Sequence, residues 1–194
     1  MSPEKRRYEL KQRAAGVAET HRRITEAAID LHGTVGPSRT TLSAVAERAG
    51  VERRTLYRHF PTEADLFAAC SSHFFGLHPW PEPDGWRAVE DPGARLARAL
   101  DELYAYYERT APMLANVLRD AEFVAYARDA VAPLLAYLDD AAVVLAEGRG
   151  GSRLALAALR HVLAFPTWRS LAANGIARAD SVRLMTALVD ASAN

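Results

Sequence analysis

The sequence predicts an all-α fold of about nine helices. Along most of the chain, apolar side chains recur three and four positions apart, which places them on one face of a helix. No stretch alternates apolar and polar residues as a half-buried strand does, and no internal repeat is visible. Glycine and proline end these apolar patterns. The one long irregular stretch is residues 77–93, which contain four prolines and two glycines.

The charge of the chain is unevenly distributed. The 194 residues are 49% hydrophobic and carry a formal net charge of zero, a composition that suits one or two globular domains. Residues 1–60 contain 12 Lys or Arg against 7 Asp or Glu, a net charge of +5. Residues 61–194 contain 12 against 17, a net charge of −5. This asymmetry predicts that the N-terminal part faces an anion.

Cysteine content and hydropathy predict a cytoplasmic protein without a membrane partner. Cys70 is the single cysteine, which excludes an internal disulfide and fits a reducing compartment. No apolar run approaches the ~18–20 residues of a membrane span. The first residues, MSPEKRRYELKQR, are charged and lack the apolar segment of a secretory signal.

The first clear helix is predicted over residues 17–33, with Ile24, Ala28 and Leu31 on its apolar face. Residues 1–16 before it are polar and basic. They are interpreted either as a disordered arm or as the frayed start of the helix. A solvated tail is favoured over an arm that binds a DNA groove.

Residues 41–60, TLSAVAERAGVERRTLYRHF, predict two short helices joined by a tight turn. Thr41 is a suitable N-cap, since its hydroxyl can accept a free backbone N–H. Gly50 allows a left-handed turn at the end of the first helix. Val51 and Leu56 renew the apolar pattern on the second helix, whose other face is basic and bears hydroxyls. This is the layout of a helix-turn-helix.

Outside the irregular residues 77–93, the rest of the chain predicts helices. Thr62 and Asp65 resemble a capping box that starts the fourth helix, which ends near Gly76. Pro133 is expected to break or kink a later helix, and Pro166 to kink another. The five further helices are predicted over residues 91–109, 112–118, 120–147, 152–174 and 180–192.

Residues 20–70 resemble the N-terminal domain of TetR-type (tetracycline-repressor-like) regulators. The amphipathic first helix and the TLYRHF close of the third helix make this likeness specific. The residues that carry it are Ile24, Ala27, Ala28, Leu31, Gly36, Thr41, Val45, Ala46, Ala49, Gly50, Val51, Thr55, Leu56, Tyr57, His59, Phe60 and Leu66. The resemblance implies a helix-turn-helix domain over residues 17–62 and a ligand-binding and dimerisation domain over residues 63–194.

Two positions depart from the family pattern. The family often has Gly before the Thr of the TLY segment, where this chain has Arg54. It often has Lys at the start of the fourth helix, where this chain has Glu63. The phosphate contact of that Lys is therefore not carried over, and Arg54 is hypothesised to replace the lost charge.

Eight residues are predicted to bind DNA. By helical position and by the resemblance, one group binds phosphates and sets the position of the protein, and the other lies on the outer face of the third helix. Because Arg can bind guanine through two hydrogen bonds, one or two arginines of this face are expected to read bases; the alternative is a solvated face. The phosphate group is Thr41, Ser43, Tyr57 and His59, and the outer-face group is Arg53, Arg54, Thr55 and Arg58.

The last two helices are predicted to form a homodimer. A single helix-turn-helix is too small for genomic specificity, and dimers read two half-sites about 34–36 Å apart or a multiple of it. The alternative for each apolar residue is a place in the core of its own chain. The expected interface residues are Leu156, Leu159, Leu163, Trp168, Leu184 and Leu188.

The central helices are rich in aromatic and polar side chains that are predicted to line a ligand pocket, because pockets are mostly apolar with a few polar groups. The alternative is a core position for each. The carboxylates Asp101, Glu102, Glu122 and Asp129 are expected on the surface rather than opposite a cationic ligand. The candidate pocket residues are His73, Phe74, Trp80, Trp86, Tyr104, Tyr107, Met113, Phe123, Tyr126, Tyr137, His161 and Phe165.

No catalytic or metal site is predicted. The chain has no GxSxG, phosphate-binding or dinucleotide-binding motif, so we expect neither an enzyme nor a cofactor. Cys70, His73 and His78 raise the question of a metal site, but a fourth ligand is missing from the pattern.

These features predict a ligand-responsive DNA-binding transcriptional regulator. It is expected to be a repressor that binds a palindromic operator on double-stranded DNA as a homodimer and is released by a small, largely apolar molecule. The alternative is an all-α small-molecule-binding or protein-interaction module that keeps the fold without specific DNA binding.

Overall fold

The computed structural model describes residues 3–150 and 152–192, and in these residues every regular element is helical. They form ten α-helices and one 3-10 helix, which confirms the predicted fold class. The elements are α1 Pro3–Thr34, the 3-10 helix Pro37–Arg39, α2 Leu42–Ala49, α3 Arg53–His59, α4 Glu63–Leu77, α5 Pro83–Arg87, α6 Pro92–Asp120, α7 Ala125–Ala146, α8 Arg153–Leu163, α9 Phe165–Ala173 and α10 Arg178–Ser192.

The chain divides into two compact units. The first contains the residues up to Leu77 together with Asn116–Ala130, and the second contains His78–Ala115 and the described residues from Val131 onward. Helices α6 and α7 each begin in one unit and end in the other. The functional boundary at residue 62 stays a prediction.

The core of the first unit is built from one face of each of α1 to α4. Ile24 and Ala28 of α1, Val45 of α2 and Leu56 of α3 are fully buried. Each lies on the apolar face that its helical spacing predicts. Phe60, which follows α3, is 2% exposed and joins the same core.

Helix α1 is longer than predicted, because it begins at Pro3 rather than near residue 17. The interpretation of residues 3–16 as a disordered arm is therefore wrong, and Met1 and Ser2 lie outside the described residues. Tyr8 and Leu10 are more than half exposed. None of the residues in this segment whose burial is described is buried, so no apolar stripe could signal it.

Both ends of α2 form as predicted. The N–H of Ala44 donates to Thr41 Oγ1 at 3.1 Å, which caps α2. Gly50 ends α2 in the left-handed conformation, with φ 63° and ψ 41°. The capping box of α4 is also present, since the N–H of Asp65 donates to Thr62 Oγ1 and the N–H of Thr62 donates to the Asp65 carboxylate, both at 3.1 Å.

The structure differs from two predictions that were based on proline. Residues 77–93 are not wholly irregular, because α5 forms there and buries Trp86 completely. The two helices expected around residue 112 are one helix, α6, with Pro112 inside it. Pro112 removes the N–H that would bind the Glu108 carbonyl. Both residues are exposed, so water can satisfy this carbonyl.

Pro133 lies inside the continuous α7 in the same way, so the predicted break does not form there. Near Pro166 the opposite occurs: the segment expected to kink is split into α8 and α9 by Ala164, which is extended at ψ 134°. Two carbonyls at the end of α8 are buried here and accept tyrosine hydroxyls instead. Tyr104 donates to Val162 O at 2.8 Å and Tyr107 to Leu163 O at 2.6 Å.

Candidate DNA-binding surface

The eight predicted DNA-binding residues all lie in the first unit, on α2, on α3 and at their N-termini. Helix α3 is short, and Leu56 anchors it in the core with no exposure. Side chains on the opposite face of such a helix must point outward. The exposed members of the set are Thr41, Ser43, Arg53, Arg54, Tyr57 and Arg58, and the half-buried members are Thr55 and His59.

Arg53 and Tyr57 form a pair on this outer face. Arg53 Nη2 donates to Tyr57 Oη at 3.0 Å, and the guanidinium carbon lies 5.6 Å from the centre of the Tyr57 ring. Residues four apart on a helix are neighbours, so stacking holds both groups in one place. A guanidinium oriented in this way keeps donors that point away from the ring.

Thr41 can cap α2 and bind an anion at the same time. Its oxygen accepts the Ala44 N–H, and a hydroxyl still has one proton to donate. The N-terminus of α2 also attracts negative charge through its free N–H groups. Thr41 and the exposed Ser43 therefore place two hydroxyls at the N-terminal end of α2.

His59, like Thr55, is partly covered. Its ring lies 6.1 Å from the His21 ring, and its Nε2 is buried without a hydrogen-bond partner among the described residues. Burial first, and then the positive charges of Arg58 and His21, lower the pKa of His59. A neutral His59 would bind a phosphate as a hydrogen-bond donor rather than as a cation.

The turn between α2 and α3 is fixed by α1. Arg23 donates to the carbonyl of Ala49, and to that of Gly50 at 3.3 Å. Gly50 has a φ of 63°, a conformation that favours glycine, and a Cβ there would also lie 2.9 Å from the movable end of the Arg23 side chain. These contacts set the angle at which α3 leaves the turn.

Acidic residues border the surface. Glu52 is exposed at the N-cap of α3 without a side-chain capping bond. Glu63, at the position of the expected Lys, is exposed in the first turn of α4, where a carboxylate stabilises the helix dipole. The positive charge of the surface therefore comes from Arg53, Arg54 and Arg58.

The twelve candidate pocket residues are divided between the two units. His73, Phe74, Phe123 and Tyr126 belong to the first unit, where Phe123 is 79% exposed and Tyr126 packs on Phe67 with ring centres 5.0 Å apart. The other candidates belong to the second unit. There Trp86, Tyr104, Tyr107 and Phe165 are buried, Trp80, Met113 and Tyr137 are half-buried, and His161 is exposed.

The polar atoms of this aromatic group already have protein partners. Trp86 Nε1 donates to Glu102 at 2.7 Å, and Tyr137 Oη to Pro81 O at 2.9 Å. Burial raises the pKa of both Tyr104 and Tyr107, so their hydroxyls stay protonated donors. These hydrogen bonds support the alternative of a core position for the four residues.

Tyr106 is a member of this group that sequence reasoning missed. It is fully buried, and its hydroxyl accepts the indole N–H of Trp80 at 3.1 Å. Burial raises its pKa. Residues two positions apart do not lie on the same face of a helix, so the spacing did not group Tyr106 with Tyr104. The one available signal was the run of three tyrosines in four residues.

The described residues contain no group of three or more His, Cys, Asp or Glu that could hold a metal ion. Cys70 is buried in the first unit, and its thiol lies 3.6 Å from the Thr25 carbonyl. In the same described part of the chain, no helix is both long enough and apolar enough to cross a membrane.

Helix α3, which is exposed and basic, is joined to α2 by a turn at Gly50. This arrangement is the helix-turn-helix of DNA-binding proteins. Residues 24–70 match the family model of bacterial regulatory proteins, tetR family. Residues 24–70 are therefore a DNA-binding domain of this family of transcriptional regulators. Its members are transcription factors, which agrees with the expectation that the chain is not an enzyme.

Solved structures share the fold over most of the chain. A TetR-like transcriptional regulator from Rhodococcus sp. RHA1 has a TM-score of 0.61 and 18% identity, over 88% of this chain and 93% of that chain. A tetR-family regulator from Streptomyces coelicolor has 0.56 and 22%, over 89% and 78%. A fatty acid degradation regulator from Bacillus halodurans has 0.58 and 17%, over 87% and 93%. A search of curated proteins finds no match.

Proposed function

We propose that this regulator is a ligand-responsive repressor, which binds a palindromic operator as a homodimer and is released by a small, largely apolar molecule. The observation that carries the proposal is the outer face of α3, where Arg53, Arg54 and Arg58 are exposed while Leu56 is buried. The same role places the protein in the cytoplasm.

Two kinds of DNA contact are available on this surface. The hydroxyls of Thr41, Ser43 and Tyr57 suit phosphates, because such contacts need a donor and no particular base. The three arginines of α3 suit guanine O6 and N7 in the major groove. Arg53 is oriented by Tyr57 at 3.0 Å, which lowers the entropy lost when it binds a base.

Apolar side chains exposed on the second unit support a homodimer. Leu184 and Leu188 of α10 are 52% and 43% exposed, and Leu154 of α8 is 65% exposed. A two-fold interface would cover these leucines. Leu159, Leu163 and Trp168 are buried in the core of their own unit, so they do not contact the partner in the proposed dimer.

The interior of the second unit supports an apolar effector. A pocket opened among its buried aromatic side chains would be lined by apolar surface, and two carboxylates of the same unit already have partners. Asp101 pairs with Arg178 at 2.8 Å, and Glu102 accepts from both Trp86 and Arg98. A cationic ligand would have to displace these partners, whereas an apolar molecule would not.

Helix α4 is the proposed route from effector to DNA. Leu66 and Phe67 anchor it in the first unit, and its last residue, Leu77, is followed directly by the second unit. A shift of α4 would change the separation of the two α3 helices in the dimer. Coupling of about 1–3 kcal/mol changes affinity by about 5- to 150-fold, and nearly complete switching needs about 5.5 kcal/mol.

The test is a fluorescence anisotropy titration with DNA from upstream of the coding region, at two salt concentrations. We expect specific binding that weakens as salt rises, because phosphate contacts release counterions. Arg53→Ala or Arg58→Ala should weaken binding. Lack of a preference over scrambled DNA, with a salt slope that neither variant alters, would instead favour the module without specific DNA binding.

A further inference from the structure

A buried carboxylate contacts the segment that precedes α2. Asp120, the last residue of α6, is 2% exposed. Its Oδ2 accepts the backbone N–H of Ser38 at 2.8 Å, and its Oδ1 accepts Arg119 Nε at 2.7 Å. Ser38 belongs to the 3-10 helix between α1 and α2. A free N–H at the start of a helical turn is a natural partner for a carboxylate.

Two neighbours on the same turn of α6 bind the end of α1. Asn116 Nδ2 donates to the carbonyls of His32 and Gly33 at 3.1 and 2.9 Å, and Arg119 Nη2 donates to Val35 O at 3.3 Å. We refer to Asn116, Arg119 and Asp120 as the α6-end cluster. All three side chains bind main-chain groups of residues 32–38, so together they fix the path of this segment.

Gly36 shows how closely the segment approaches the cluster. Its φ is 96°, a conformation that side chains rarely adopt. A Cβ at this position would lie 2.7 Å from Asp120 Oδ2 and would also collide with Arg119. The glycine therefore allows both the turn and the contact.

The fixed segment leads directly into the DNA-facing end of α2. Thr40 Oγ1 donates to Gly36 O at 2.8 Å, and the N–H of Thr40 donates to Pro37 O at 3.1 Å. The next residue, Thr41, caps α2. A change at Ser38 is therefore transmitted through one short turn to the hydroxyls of Thr41 and Ser43.

We propose that Asp120 is a positioning residue for DNA binding, which holds the Ser38 turn so that Thr41 and Ser43 face the phosphates. This inference rests on the proposed function. It also makes a prediction opposite to that of simple electrostatics. Removing the carboxylate takes a negative charge from the DNA-binding unit, which alone would tighten DNA binding, whereas loss of positioning weakens it.

The test compares Asp120→Ala, Asp120→Asn and the control Asp190→Ala by anisotropy with operator DNA, at a temperature where circular dichroism shows each variant folded. Asp190 also pairs with an arginine, Arg149, at 2.6 Å, but in the second unit. We expect about tenfold weaker binding for Asp120→Ala. Asp120→Asn keeps an oxygen that can accept the Ser38 N–H, so its affinity should largely recover, and Asp190→Ala should not weaken binding.

Equal or tighter DNA binding by Asp120→Ala overturns the proposal, even if its unfolding temperature falls, because a purely stabilising role predicts that result. If Asp120→Ala does not fold, Asn116→Ala replaces it, and unchanged affinity overturns the proposal equally. Hydrogen exchange of residues 36–46 should be faster in the weakened variant. If Arg58→Ala weakens binding and the cluster variants do not, this inference fails alone; if the wild-type protein prefers no duplex, the proposed function fails with it.

Discussion

Tyrosine has opposite roles in the two units. In the first unit Tyr57 is 41% exposed, and its oxygen accepts from Arg53 on the outer face of α3. In the second unit Tyr104 and Tyr107 are fully buried, and their hydroxyls donate to the carbonyls of Val162 and Leu163. The first arrangement leaves a hydroxyl proton for another molecule, while the second uses it inside the fold.

The difference shows why residue type alone does not identify a binding site. A buried hydroxyl must find a partner in its own chain, and Tyr104 finds the Val162 carbonyl that the proline at position 166 leaves without its usual N–H donor. An exposed hydroxyl has water as its alternative, so a phosphate can replace that water at little cost. Of the three tyrosines compared, Tyr57 on α3 is therefore the one whose hydroxyl can donate to another molecule.

The largest effect is expected from the arginines. The double variant Arg54→Ala/Arg58→Ala should lose about 100-fold or more in operator affinity, because each good base contact contributes about 1–3 kcal/mol. Its unfolding temperature should stay near that of the wild type, since both residues are exposed. Anisotropy titration and thermal circular dichroism measure the two effects.

The matched control is Arg153→Ala/Arg169→Ala, which removes the same charge from two exposed positions of the second unit. Similar losses of affinity in both double variants would mean that only net charge matters, and would contradict a recognition role for α3.

The two tyrosine classes can be compared by removing one oxygen from each. Tyr107→Phe leaves the Leu163 carbonyl without its donor, so it should lower the free energy of unfolding by about 1–3 kcal/mol. Tyr57→Phe should change that free energy by less than about 0.5 kcal/mol and weaken DNA binding. Urea unfolding and anisotropy measure the pair, and a reversed pattern would show that the two roles are wrongly assigned.

The first unit also contains a buried histidine, which predicts a pH effect. Burial lowers the pKa of His32 to about 4, while Asp120 acts weakly in the opposite direction. The unfolded chain therefore binds more protons between about pH 4 and the ordinary pKa of about 6.5. Stability should fall as pH drops through this window, by at most about 1.4 kcal/mol per pH unit from this group.

Urea unfolding at a series of pH values measures this dependence. His32→Leu should reduce the slope, whereas His161→Gln, at an exposed position, should not. An unchanged slope in His32→Leu would assign the acid sensitivity to other groups.

The smallest effect is expected at Cys70. Burial raises the pKa of its thiol to about 12, and only the thiolate reacts quickly. A thiol reagent should therefore modify the folded protein slowly and the urea-unfolded protein fast. Rapid reaction of the folded protein would show that this part of the core opens.

The helix-turn-helix could be predicted because its signals are local. Thr41 and Gly50 mark the two ends of one short helix, and Leu56 shows which face of the next helix is buried. The α6-end cluster could not be predicted, because Ser38 and Asp120 are 82 residues apart and no pattern in the sequence connects them.

Other differences come from how each site is solvated. Pro112 and Pro133 do not break their helices, because they lie at exposed positions where water can bind the freed carbonyls. The sequence shows the proline but not the exposure. Tyr104 and Tyr107 of α6 were predicted to line a pocket because they are aromatic with a polar group. The helix break at Ala164 frees the carbonyls of Val162 and Leu163 that their hydroxyls bind, and the sequence does not show this break.

Methylation of guanine N7 in the major groove tests most directly whether the outer face of α3 reads bases. Operator DNA is treated with dimethyl sulfate in the presence of the wild type, Arg53→Ala, Arg54→Ala or Arg58→Ala. The wild type should protect guanines in two half-sites about 34–36 Å apart or a multiple of it. At least one variant should lose protection at one symmetric pair of guanines and keep the rest. Protection that is absent in the wild type, or identical in all four proteins, would contradict a base-reading role for α3.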